Sequence, residues 1–206
     1  MRLAVLTGLY VAVVCSAQIG ANKIVQLPFT HLDAPGGVYS IGVALALVQL
    51  AHHSAPTRRD GAVNAQMMIG VGFTGSALLA GYIALVAHAH PAFPDQSFDE
   101  AVGSTWRIVG ASLAAFMVSE TVDNAVGAPL RGRVHDGARV VVSAAASAPL
   151  DSVVFLVLAF GWSGLDFFEG QLVGKIASSV LIGIPLVVVG RRFIVRREGH
   201  IVPAEA

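Results

Sequence analysis

The chain has 206 residues, 55% hydrophobic and 13% charged, with no net charge and a mean hydropathy of +0.71. Soluble domains carry about 25% charge, so an ordinary globular domain is excluded; basic residues in short, separated pairs exclude a nucleic-acid-binding stripe. The single Cys15 cannot close an intrachain disulfide, and no Cys-x-x-Cys pair is present to start a zinc site.

Six stretches are apolar and long enough to be read as helices crossing about 30 Å of hydrocarbon. Span one runs from about Leu3 to Ala21, span two from Gly36 to Ala51, and span three from Ala65 to Ala87. Span four covers Trp106 to Val126, span five Val140 to Trp162, and span six Leu172 to Gly190. Span two is short and span four is polar for its length. The fold class expected is therefore an all-α integral membrane protein, a single domain over residues 1–206. A lipoprotein reading of Cys15 needs a small residue before it, and Val14 is not small; span one is read as retained.

Orientation follows the basic residues. Arg2, Arg58, Arg59, Arg131, Arg133, Arg139, Arg191, Arg192, Arg196 and Arg197 fall on one side under a six-span arrangement. The other side holds Asp33, Asp95, Asp99, Glu100, Asp166 and Glu169, with only Lys23, Arg107 and Lys175 as cations. Both termini are accordingly placed in the cytoplasm. The histidines at span ends (His52, His53, His88, His90) read as interfacial polar groups, with no carboxylate placed to complete a metal site.

Three acids lie inside the spans: Glu120 and Asp123 on span four, Asp151 on span five. An Asp at a helix centre costs about 2.5–3.5 kcal/mol on insertion, and such residues usually face a wet cavity or a bundle interior. At 100° per residue, Trp106, Val109, Leu113, Glu120, Asn124 and Gly127 share one face, with Asp123 one step round. An aromatic ring, a carboxylate and an amide on one face suit a planar heterocycle, since a carboxylate accepts two parallel N–H bonds. The competing reading is that these acids cap or pair with neighbouring helices. On span five, Ser143, Ser147 and Asp151 stack at i, i+4 spacing beside Pro149. That pattern predicts either a tightly packed kinked helix or a broken helix lining a substrate cavity. Lys175, opening span six, can reach inward to a carboxylate; Arg107 reads as snorkelling to headgroups.

Several blocks stand in order along the chain. A-N-K-I-V-Q-L-P closes span one and P-G-G-V-Y-S-I-G opens span two. S-E-T-V-D-N-A-V-G-A-P-L-R ends span four, P-L-D-S-V-V-F-L-V-L-A-F-G forms the second half of span five, and G-Q-L-V-G-K opens span six. Together they resemble the queuosine precursor transporters, also described as the vitamin uptake transporter (VUT) family. The resemblance implies a six-helix inner-membrane importer of 7-deazaguanine bases, such as the cyano or aminomethyl precursors of queuosine. It also implies a helix count and size similar to the substrate-binding subunits of energy-coupling-factor vitamin transporters. Carried over by position, the implied ligand contacts are Asn22, Gln26, Glu120, Asp123, Asp151 and Lys175. One place departs from the family pattern: Val48 and Gln49 stand where an Arg-Asp pair is common, which puts coupling and substrate range in question.

The leading expectation is thus a nucleobase transporter in which Glu120 reads the N–H edge, Asn22 or Asn124 reads the carbonyl, and Trp106 stacks. A second is a vitamin-binding subunit served by a separate ATPase, since the chain has no phosphate-binding loop of its own. An intramembrane serine protease is disfavoured: Ser112 in G-A-S-L has no histidine on span six to act as base, so no enzyme is expected. No cofactor, metal or nucleic-acid partner is expected; the partners are a small base and the lipid bilayer, with a homo-oligomer or energising partner left open.

Overall fold

The computed structural model describes residues 2–55, 57–89, 102–130 and 136–195. Within these, the side chains of residues 2, 58, 120, 121, 123–130, 136–145, 147 and 192–195 lie outside the description. The chain is mostly helical. Helix α1 (Arg2–Gly20) leads into a hairpin of β1 (Ile24–Gln26) and β2 (Asp33–Pro35), followed by α2 (Val38–His52) and α3 (Arg58–Ala87). Then come α4 (Thr105–Leu130), α5 (Asp136–Phe160), a 3₁₀ turn (Trp162–Phe167), α6 (Phe168–Ser178), a π-helical stretch (Ser179–Gly183) and α7 (Ile184–Val195).

Each of the six apolar stretches falls on helix. Three helical stretches, Leu3–Gly20, Arg59–Ala87 and Trp162–Arg191, are long and apolar enough to cross a bilayer; Val38–His52, Thr105–Ser119 and Ala148–Phe160 are shorter apolar helices. The longer helices leave large apolar side chains outside: Leu78, Tyr82 and Leu85 are each more than 60% exposed. So continuous an apolar exterior suits hydrocarbon and not water. The class is an α-helical membrane protein.

The molecule forms two compact units. One comprises Met1–Ala17, Gly37–Ser76 and Lys175–Ala206. Its core gathers Tyr10, Leu47, Ala51, Ala65 and Met68, ringed by Leu6, Val13, Val43 and Val48. Small residues set its close approaches. A Cβ on Gly72 would overlap the Tyr10 ring, and one on Gly42 would overlap the Ser178 carbonyl. The Ser178 hydroxyl accepts from the Gly42 amide at 2.8 Å and donates to the Tyr39 carbonyl at 3.1 Å, so two helices meet backbone to backbone. Thr57 caps α3: its hydroxyl accepts from the Asp60 N–H at 3.1 Å and donates to the Asp60 carboxylate at 2.7 Å.

The other unit comprises Gln18–Gly36 and Ala77–Gly174. Helices α4 and α5 pack against each other, and Ala21, Ile108, Ala111, Ala115, Phe155, Leu156 and Ala159 form the core. Phe160 meets Phe155 and Phe167 edge to face, at centroid distances of 6.0 and 6.3 Å. Gly161 ends α5 at φ 78°, ψ −169°, a conformation open essentially to glycine alone.

Two features depart from the sequence expectation. The segment closing span one is a β-hairpin, paired antiparallel with Gln26 opposite Asp33, and not a plain connection. Three-residue strands carry no periodic signal long enough to read. Of the two readings of span five, the broken helix is not found: α5 runs through Pro149, which is inside it. The irregularity sits instead in span six. Pro185 lacks the N–H that would bond the carbonyl four residues back. The chain before it widens into the π-helical stretch, where the Ile184 N–H bonds the Ser179 carbonyl.

Candidate functional site

In the unit holding α4 and α5, a set of side-chain hydrogen bonds joins the end of α1 to α4. Gln18, in the last turn of α1, is 6% exposed, and its amide oxygen accepts from the Ser112 hydroxyl of α4 at 3.1 Å. Asn22 follows four residues later, beyond the end of the helix, and is tied at every polar atom. Its amide nitrogen donates to the Thr105 hydroxyl at 2.8 Å and to the carbonyls of Gln18 and Ile19 at 3.1 and 3.2 Å. Its amide oxygen accepts from the Ser104 hydroxyl. Asn22 thereby satisfies carbonyls that the end of α1 leaves without helical donors and fastens that end to the start of α4. Thr105 and Ser112 are seven residues apart, on one face of α4, so the seam follows helical geometry.

Arg107 has a definite partner too. Its Nε donates to the Leu158 carbonyl at 2.9 Å, capping the last turn of α5 where carbonyls lack helical donors. The charge is used at a helix end rather than only presented to headgroups.

Gln171 is the most telling residue. It lies in α6, directly after Gly170, whose absent Cβ lets the helix come against the Asp33 carbonyl of β2. Gln171 is 4% exposed, and its Oε1 has no hydrogen-bond partner among the described residues. Leaving such an acceptor dry costs about 1–3 kcal/mol. A side chain kept at that cost is a candidate to accept from a ligand N–H.

The residues singled out from sequence are distributed as follows. Asn22 belongs to the seam, and Trp106 follows directly on Ser104 and Thr105; Trp106 is 60% exposed, while Ile108 and Ala111 on the same helix are buried in the core. Gln26 is exposed at the end of β1. Asp151 and Lys175 are half-buried, and each is engaged by other groups. The backbone is helical at Glu120, Asp123 and Asn124, whose side chains lie outside the description, as do those of Ser143 and Ser147. His90 also lies outside the described residues. Of the pair at the family departure, Val48 packs on the core of its unit, and Gln49 is exposed. Gln18 and Gln171 were not singled out from sequence. An amide inside an apolar span was the available signal, and Gln171 stands in the quoted G-Q-L-V-G-K block.

Buried polar side chains between the helices of a membrane protein mark a candidate solute site. Residues 41–190 match the family described as Putative vitamin uptake transporter, and the chain belongs to that family. The match takes in Trp106, Glu120, Asp123, Asn124, Asp151, Gln171 and Lys175, and stops short of Asn22 and Gln26. No curated protein and no solved structure matches the chain.

Proposed function

We propose that the chain is an importer of a 7-deazaguanine base of the queuosine-precursor type. It works as one domain with six spans and both termini in the cytoplasm, set in the inner (cytoplasmic) membrane. The observation that carries this reading is the buried amide oxygen of Gln171, without a hydrogen-bond partner among the described residues, in a chain of the vitamin uptake transporter family. A guanine-like edge offers neighbouring N–H donors, and an amide oxygen and a carboxylate are the acceptors that suit it. In this scheme Glu120 takes the paired N–H edge, Gln171 takes a further N–H, and Asn124 or Asn22 donates to the carbonyl. Trp106 stacks on the ring. Asp123, Asp151, Lys175 and Gln26 set the polarity of the path.

The test is uptake of labelled 7-deazaguanine bases by cells lacking their own importer. Wild type should accumulate label, and Glu120→Gln should reduce the rate about tenfold or more, as for a lost charged hydrogen bond. No accumulation above vector-only cells would end the base reading.

The family description accords with a second reading in which the cargo is a vitamin; in that reading a separate ATPase supplies the energy. Co-purification of the chain with an ATPase, and vitamin uptake in place of base uptake, would select it.

A further inference from the structure

An open-sided groove of about 290 Å³ runs between α2 and the stretch formed by the π-helical turn and α7. Its walls are Leu45, Ala46 and Gln49 on one side and Gly183, Ile184 and Val188 on the other. Of the two polar side chains at its edge, Ser179 donates its hydroxyl to the Lys175 carbonyl at 2.7 Å, which leaves Gln49. A polar base would find one amide there; a hydrocarbon chain would find matching walls. Leu45 and Val188 are about half exposed, 49% and 51%, so the groove opens on the apolar exterior of the helices.

Both walls end in cationic or titratable side chains. Leu45, Gln49 and His53 follow at i, i+4 spacing, and the His53 N–H bonds the Gln49 carbonyl at 3.1 Å, so His53 stands one turn beyond the wall. Opposite, Ile184, Val188 and Arg191 share a face at i, i+4, i+7 spacing. The two ridges are in contact at that end: a Cβ on Gly190 would lie 2.7 Å from Leu50 Cδ1. His53 and Arg191 are both exposed. An apolar channel with a guanidinium and an imidazole about one turn beyond its walls is complementary to an acyl chain bearing an anion.

We propose that this groove holds one acyl chain of an anionic phospholipid, with the headgroup phosphate bound by Arg191 and His53. The site rests on the helices crossing the bilayer and is independent of which solute the chain carries. Base uptake and lipid retention therefore fail separately. A helix from a partner protein would fill the groove without calling for an anion at its end.

The experiment is native mass spectrometry of the purified chain incubated with an equimolar mixture of phosphatidylglycerol and phosphatidylcholine of the same acyl chains. Wild type should retain phosphatidylglycerol in preference by roughly fivefold or more, the effect of one basic side chain at a membrane surface. The double substitution Arg191→Gln with His53→Gln should bring that preference near unity. Val188→Trp, which fills the groove from its exposed side, should lower retention of both lipids; Leu45→Trp repeats the test should the first variant misfold on size exclusion. Equal retention of the two lipids by wild type, an undiminished preference in the charge variant, or full displacement of phosphatidylglycerol by inorganic phosphate would each overturn the site.

Discussion

Replacing Gln171 by Met separates a residue kept for a ligand from one kept for the fold. Gln171 is 4% exposed, and its Oε1 has no hydrogen-bond partner among the described residues; a buried acceptor without any partner costs about 1–3 kcal/mol. Methionine has a similar length, is unbranched and brings no dry acceptor, and such volume-conserving changes usually cost less than about 1.5 kcal/mol. The balance predicts a midpoint near unchanged or raised by several °C, at about 2–4 °C per kcal/mol for a domain of this size. Base binding should fall about two- to tenfold, the worth of one neutral hydrogen bond. Gln18→Met is the contrast: Gln18 is equally buried but accepts from Ser112 at 3.1 Å, so its loss should lower the midpoint. The assay is thermal unfolding of detergent-purified protein, with and without a 7-deazaguanine base. If both variants drop the midpoint alike and Gln171→Met leaves base-induced stabilisation intact, the ligand role of Gln171 is refuted.

Four further outcomes follow from the packing and charge. Gly42→Ala places a methyl on the Ser178 carbonyl and should destabilise by about 1–3 kcal/mol. Gly70→Ala, with open space around it, should stabilise by up to about 1 kcal/mol in the same melting assay. Asn22→Ala removes the tie between α1 and α4; hydrogen exchange should quicken in the first turn of α4, and unchanged exchange there would remove Asn22 from its fastening role. Burial first, then the Arg191 guanidinium and His52, hold His53 below its ordinary pKa of 6.5. The unfolded chain therefore binds the proton more readily, so this contribution to stability is whole above pH 6.5 and is lost as pH falls through the lower folded value. Melting midpoints across an acid titration should decline less steeply in His53→Gln than in wild type.

The spans were legible because a helix exposed to hydrocarbon must be apolar on its outer face, and hydropathy reads that directly. Span six shows where the reading thins. Its apolar run is plain, but the π-helical stretch before Pro185 is a backbone adjustment that no composition marks. Pro149 carried the stronger sequence signal and leaves α5 continuous. The hairpin after α1 was missed because it is held by single bonds, such as Gly36 N–H to Lys23 carbonyl at 2.8 Å, and not by an alternating pattern.

The site divides along a line of chemistry. Carboxylates in an apolar span announce themselves because their charge is costly wherever they face, which is why Glu120, Asp123 and Asp151 stood out. Amides are ambiguous: the same side chain can close a helix or wait for a ligand, and only its partners tell which. Asn22 has three acceptors for its nitrogen and a donor for its oxygen. In Gln171 the oxygen has none among the described residues. A base entering the protein would gain a hydrogen bond at Gln171 that no protein group gives up, whereas at Asn22 it would have to break bonds that hold α1 to α4. On that difference Gln171 outranks Asn22 as the candidate amide for a solute, although the sequence singled out Asn22 and not Gln171.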